Sequence, residues 1–303
     1  MINRSRNRQL LGYLFALGAT AIWSGNFIIA RGLNESISPI SLAFWRWTVA
    51  VTFFLPFAFR SLIAERSILQ KNLPYLSITA LLGITLFNTL IYLAGHTTSA
   101  INLSLISITF PVFIIILLRI FWGEPLSINK GFGILLVATG VTILVTKGNP
   151  AKLFQLSFAI GDLWMLVAAV IFAVYSILLR HKPKELSVRA FQLSTFILGL
   201  IFLFPFFLWD PAAVSPVEFD GRTVLSVLYV GIFASLTAFV LWNKAIMLLG
   251  PAKAGMVYYI LPLFSALLAH FFLDEYVTVN HFYSLLFILS GIFTANYEFR
   301  RRE

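Results

Sequence analysis

A chain of 303 residues in which 59% of positions are hydrophobic and only 11% charged, with a mean hydropathy of +0.90, does not have the composition of a soluble domain, where about 25% of residues are charged. A water-soluble core could not hide this much apolar surface, and the lack of cysteine excludes disulfides and thiolate chemistry. The net charge of +10 would suit a nucleic-acid binder, but its distribution along the chain points to a membrane instead.

About 20 apolar residues cross the hydrocarbon as a helix. Backbone groups in lipid need internal partners, and the long runs of Leu, Ile, Phe and Ala lack the alternation of a barrel strand, so the crossings are predicted to be helices. In chain order the expected spans are 10–31, 38–59, 73–94, 99–120, 128–147, 159–180, 189–209, 223–245, 252–273 and 278–298. The uncharged run from Asn72 to Leu118 must hold two of them, turning around Gly95 to Ser99. The first span is not read as a cleaved signal peptide: its apolar stretch is too long, no small-residue cleavage site ends it, and Arg31 follows directly.

With the N-terminus inside, 17 of the 22 Lys and Arg residues fall on cytoplasmic ends, only Arg31, Lys147, Lys152 and Arg222 fall outside, and Arg46 lies within the membrane. The positive-inside rule therefore predicts that both termini are cytoplasmic, which ten spans satisfy. The basic excess also favours anionic lipid headgroups and leaves no case for nucleic acid.

The chain repeats itself. Near an offset of 149, Gly12, Trp23, Arg31 and Ser38 face Gly161, Phe172, Arg180 and Ser187; at 151, Phe110-Pro111-Val112-Phe113 faces Leu261-Pro262-Leu263-Phe264, Phe121-Trp122-Gly123-Glu124 faces Phe272-Leu273-Asp274-Glu275, and Gly140 faces Gly291. The halves are expected at 1–148 and 149–303, with five spans in each. Five is odd, so the second half must be threaded upside down relative to the first. Inverted repeats of this kind support alternating access around a shared central site. Duplication in a structural or enzymatic membrane protein is the other reading of the same pattern.

The pattern Ser99-Ala-Ile-Asn-Leu-Ser-Leu-Ile-Ser-Ile-Thr-Phe-Pro111, then Gly123-Glu124-Pro125-Leu126, then Gly131-x-Gly133 through Gly140, resembles an EamA domain of the drug/metabolite transporter superfamily. Pro39 with Phe44-x-Arg46 resembles the family's second helix, and the likeness covers nearly the whole chain. Within the superfamily the chain is most similar to bacterial aromatic amino-acid exporters of the YddG type. The second half departs from the pattern with Thr195 in place of Arg46 and Asp274 in place of Gly123.

Polar residues on a span face protein or a water-filled cavity. Read at three- and four-residue spacing, the fourth span aligns Ser104, Ser107 and Pro111, which the repeat maps onto Gly255, Tyr258 and Pro262. These border a cavity or serve close helix packing. Trp23, Asn26, Asn88, Tyr92, Trp164, Tyr175, Trp242 and Asn243 complete the expected substrate-binding set: amides and hydroxyls orient a zwitterionic solute, and aromatic faces receive an apolar side chain. For Trp164 and Trp242 an interfacial aromatic belt is the alternative.

Arg46 lies roughly 12 Å into its span, where an exposed guanidinium would cost at least about 2.5 kcal/mol, so it needs a partner. It is read as a structural strut or as the contact for a substrate carboxylate. Glu124 and Glu275 end equivalent spans on opposite faces, as gate locks paired with nearby cations or as hydrated helix-end carboxylates near Lys130 or at the start of the next helix. Pro111 and Pro262 bend their helices.

No Walker loop, metal-ligand cluster or catalytic constellation is present in context, so no cofactor and no enzymatic activity are expected. No carboxylate falls at mid-span, which favours facilitated transport over proton coupling. The sequence therefore predicts an all-α integral membrane protein that exports a small-molecule substrate across a bacterial inner membrane as a monomer in the lipid bilayer, the substrate being an amino acid with an aromatic or hydrophobic side chain. Antiport of phosphorylated or nucleotide sugars, or proton-coupled drug export, is the alternative.

Overall fold

The computed structural model describes residues 2–123, 127–149, 159–179, 181–210, 220–249, 254 and 257–296, apart from the side chains of residues 2–7, 122, 243, 246 and 296. Every described element is a helix. In chain order they are α1 (Ile2–Gly32), α2 (Pro39–Ala64), α3 (Leu73–Gly95), α4 (Ala100–Phe121), α5 (Ile128–Thr146), α6 (Ile160–Leu179), α7 (Val188–Trp209), α8 (Gly221–Leu249), α9 (Leu261–Leu273) and α10 (Val279–Asn296), with a short helix Arg66–Lys71 before α3. Among these, α1 to α8 are long and apolar enough to cross a membrane, and α9 and α10 are shorter apolar helices. Their outer faces carry exposed Phe57, Leu135, Trp209 and Phe293, which only a lipid surrounding makes tolerable. The chain is an all-α integral membrane protein.

Local chemistry sets the helix ends. Ser38, Ser99, Ser127, Ser187 and Asp220 open α2, α4, α5, α7 and α8, each accepting the backbone N–H three residues ahead, which satisfies a donor with no partner inside the helix. At the other end of α4 and α9, Gly123 and Asp274 occupy the same left-handed position, with φ 66° and 52°. The departure of the second half from glycine is thus a conformational match, since Asp is among the few side chains that tolerate this region.

Four helices are less regular than the hydropathy pattern predicts. A π-helical stretch interrupts α3 at Leu81–Leu86 and α8 at Tyr229–Thr237, the counterpart helices of the two halves. α4 breaks at Ile108 and Thr109 and resumes at Phe110, with Pro111 in its first turn, where a missing N–H costs nothing. Pro262 holds the same place in α9 after a turn at Tyr259 and Ile260.

The packing repeats itself with the halves exchanged. α1 packs on α8 and α9, α6 packs on α3 and α4, and α2 packs on α7 as α5 does on α10; moving every helix five places along returns the same set of pairs. The α2–α7 pair is antiparallel. Ser38 Oγ at the start of α2 donates to Asp210 Oδ2 at the end of α7 (2.6 Å), and the Ser187 N–H at the start of α7 donates to Glu65 Oε2 past the end of α2 (2.7 Å). Ser38 and Ser187 therefore lie at opposite ends of the bundle. At the α5–α10 seam the absence of side chains decides the approach: a Cβ on Gly133 would stand 2.5 Å from the Gly291 oxygen, and one on Gly291 would stand 2.6 Å from the Gly133 oxygen.

Candidate functional site

Two adjoining clusters form at the centre of the bundle. The first is polar. Arg46 of α2 is only 3% exposed and its guanidinium is held by three side chains from three other helices: Nε donates to Ser235 Oγ of α8 (2.8 Å), and Nη1 donates to Asn26 Oδ1 of α1 (2.9 Å) and to Tyr92 Oη of α3 (2.8 Å). Tyr92 in turn donates to Asn26 Oδ1 (2.9 Å), and Ser235 donates to the Val230 carbonyl inside the π-helical stretch of α8 (2.9 Å). The Trp47 ring lies 5.0 Å from the guanidinium carbon, within cation–π range. A buried charge needs this density of dipoles. Arg46 is thus tied to side chains, not to the backbone carbonyls expected of a strut.

The second cluster is aromatic, and both halves build it. Trp23 of α1 meets Trp242 (5.3 Å between ring centroids) and Phe239 (5.7 Å) of α8, and also Tyr258 (6.0 Å), which stands on the approach to α9. Tyr258 meets Phe110 of α4 (5.9 Å), Phe110 meets Phe172 of α6 edge-on (5.0 Å), and Phe172 stacks on Phe87 of α3 (4.6 Å). The clusters touch through α8: the Trp23 indole donates to the Ala234 carbonyl (3.0 Å), next to the Ser235 that holds Arg46. Asn26 lies one turn beyond Trp23, on the same face of α1.

The other expected positions behave differently. Ser107 comes to the Tyr258 hydroxyl, so two positions paired by the repeat meet in space. Ser104 and Ser107 also donate to carbonyls of their own helix (both 2.7 Å), the arrangement of a small-residue packing face. Asn88 donates to the Gly83 and Ile84 carbonyls (3.0 and 3.3 Å) within the π-helical stretch of α3. The Tyr175 ring fills the space over Gly83, where a Cβ would stand 2.4 Å from it. Trp242 packs against Trp23 and Tyr258 inside the bundle, whereas Trp164 is partly buried against the main core without joining the aromatic chain. Glu275 accepts the Ala100 and Ile101 N–H groups (3.0 and 3.2 Å), capping the start of α4 from across the repeat. Glu124, Gly255 and the Asn243 side chain lie outside the described residues. A crevice of about 400 Å³ between α1, α8 and α9, lined by Ile28, Ile29, Tyr229, Leu268 and Arg222 among others, includes none of the expected site residues.

Several participants escaped the sequence reading. Phe172 was within reach, because the repeat aligns it with Trp23. Phe110 stood in the repeated Phe110-Pro111 pattern without being singled out as a binding position, and Ser235, Phe239 and Phe87 carried no signal among so many similar residues. Outside the two clusters, Asp162, placed near a span end, turns out to be 2% exposed, its Oδ1 accepting from Thr98 Oγ1 and from Asn102 Nδ2 (3.1 Å). Gly161 allows this by letting α6 press onto the Ala94 carbonyl, 2.4 Å from where a Cβ would be.

Comparison with known proteins agrees with this architecture. The model of the EamA-like transporter family matches twice, over residues 10–146 and 159–297. An uncharacterized transporter of Archaeoglobus fulgidus is 33% identical over 84% of this chain and 86% of its own length. The uncharacterized transporter YyaM of Bacillus subtilis is 24% identical over 94% of this chain and 93% of its own. A solved crystal structure, 20% identical over 94% of this chain and 96% of its own, superposes with a TM-score of 0.62 and so shares the fold. The chain belongs to the EamA-like transporter family.

Proposed function

We propose that this membrane transporter is an alternating-access exporter of small metabolites, amino acids with aromatic or hydrophobic side chains foremost, working in a bacterial inner membrane with both termini in the cytoplasm. The observation that carries the substrate class is the junction of the two central clusters. Among the described residues none accepts from Arg46 Nη2, so two charge-assisted donors remain for a carboxylate. The wall of Trp23, Phe110, Phe172, Trp242 and Tyr258 beside them matches an aromatic or aliphatic side chain. Phosphorylated or nucleotide-linked sugars would call for several cations, and Arg46 is the cation of this cluster.

The two five-helix halves, 1–148 and 149–303, are taken as the rocking units. Their interrupted counterparts, α3 with α8 and α4 with α9, are the elements best able to change shape, because π-helical stretches and breaks before Pro111 and Pro262 leave the backbone ladder incomplete at mid-membrane. Glu275 capping α4 from the opposite half suits a latch that holds one mouth shut.

Purified protein in liposomes, assayed for counterflow with labelled amino acids, sugars and nucleotides, tests the proposal. Aromatic amino acids should exchange. Trp23→Ala and Tyr258→Ala should each raise the half-saturating concentration about tenfold, the equivalent of about 1.4 kcal/mol. Folded protein that exchanges none of the three classes would refute the transport reading for them, and exchange of sugars or nucleotides alone would refute the substrate class.

A further inference from the structure

Arg46 and Asp162 are the buried charged side chains among the described residues, and the central site uses only the first. Asp162 stands in the first turn of α6, which belongs to the second half, against Thr98 and Asn102 at the start of α4, in the first. Asn102 Nδ2 lies 3.2 Å from Thr98 Oγ1 and 3.1 Å from Asp162 Oδ1, while its Oδ1 is buried and without a hydrogen-bond partner. That buried acceptor lacks a donor, and a half-turn of the amide, which gives up both Nδ2 donations, becomes favourable where a cation or a proton stands between the amide oxygen and Asp162. The oxygen then takes the nitrogen's place, and a carboxylate, a hydroxyl and an amide oxygen from three residues surround one point. All-oxygen donors carrying a single negative charge suit a hard monovalent cation. A proton on Asp162 would meet the same need by donating to the turned amide oxygen.

We propose that Asp162, Thr98 and Asn102 form a binding site for a monovalent cation, a proton or a sodium ion, whose occupancy is coupled to substrate movement. This rests on the transport reading. The site joins the two halves, where any rocking motion would open or close it, and it has no counterpart in the repeat, since Tyr13 stands in the first half where Asp162 stands in the second. The charged and titratable groups around it are Lys147 at the end of α5, Arg31 and His96, joined through the Arg31 bonds to the Gly95 and His96 carbonyls (both 3.2 Å), and Glu275 on the Ala100 and Ile101 N–H groups. An ionised Asp162 ties α6 to α4 through its two donors. A bound cation neutralises that carboxylate and turns Asn102.

The test separates exchange from accumulation. Proteoliposomes holding the wild type are given, in turn, a tenfold sodium gradient at equal pH and a one-unit pH gradient at equal sodium. One of the two should drive substrate accumulation approaching about tenfold if one cation moves per substrate, and which gradient works identifies the ion. Asp162→Asn, which keeps the shape and one acceptor, should lose accumulation while counterflow stays within about threefold. Asn102→Ala provides the second arm: detergent-solubilised wild type should gain thermal stability on addition of the coupling ion, and this variant should not. Wild-type counterflow without accumulation under either gradient overturns the cation site and leaves the transporter standing. Full accumulation by Asp162→Asn also overturns it. Absence of wild-type counterflow removes the transport reading, and this inference with it.

Discussion

Arg46→Met tests whether the guanidinium is the hub that joins four helices. The change removes three charge-assisted hydrogen bonds of 2.8 to 2.9 Å, each worth about 1.5–3 kcal/mol net. Against this stands the recovered cost of burying a guanidinium, several kcal/mol in a site that is 3% exposed. The groups left behind limit the damage: Tyr92 still donates to Asn26 Oδ1, and Ser235 still donates to the Val230 carbonyl. No acceptor is stranded, so the net loss should fall near the low end for breaking a buried polar network, about 3 kcal/mol. At about 2 °C per kcal/mol for a chain of this size, the thermal midpoint in detergent should drop roughly 6 °C. Arg46→Lys should recover little, because a point ammonium cannot span Ser235, Asn26 and Tyr92 together. A double-mutant cycle of Arg46→Met with Asn26→Ala should show a coupling of about 1 kcal/mol or more. A thermal midpoint within 1 °C of wild type would refute the hub argument, and an unchanged half-saturating concentration would remove Arg46 from the substrate site.

Three further outcomes are expected. Gly291→Val sets a Cβ 2.6 Å from the Gly133 oxygen and 2.8 Å from the Val137 nitrogen, and since both are backbone atoms only separation of α5 from α10 relieves the clash; thermal unfolding should show a loss of about 3 kcal/mol. Glu275→Gln weakens the cap on Ala100 and Ile101 and should cost about 1 kcal/mol, with the rate of exchange more altered than the affinity if the contact closes a mouth. His96 is held below the ordinary histidine value of 6.5 by partial burial and then by Arg31, so the folded protein favours its neutral form. Stability from this group is complete above 6.5 and declines as pH falls through the lower folded value; the loss of thermal stability on acidification should be smaller in His96→Asn than in wild type.

Much of the fold was legible because lipid imposes strict rules. Span positions and the places of Pro111 and Pro262 follow from local composition, and the described helices match most of the spans closely, whereas the serine caps at Ser38, Ser99 and Ser187 emerge from the structure. The π-helical stretches in α3 and α8 were not legible, because their sequences are as apolar as any other span and the extra residue is accommodated by packing. The aromatic cluster was half legible: Trp23, Trp242 and Tyr258 stand out in sequence, but Phe110, Phe172 and Phe239 are three among 31 phenylalanines. Asp162 shows the limit most clearly. Its place two residues into α6 reads as a hydrated end, and only the approach of α6 to the Ala94 carbonyl at Gly161 makes it interior.

The sequence by itself determined that this chain lives in a membrane and crosses it as helices, and from a duplicated pattern with an odd number of expected spans in each copy it predicted that one copy is inverted; hydropathy, charge placement and parity are properties of the chain order alone. Tertiary structure decided which polar groups meet. Asn26, Tyr92 and Ser235 converge on Arg46, and Thr98 and Asn102 on Asp162, across sequence separations of 20 to 189 residues. Such meetings depend on how helices rotate and how closely glycines let them approach, and neither quantity is written in the local pattern of any one span.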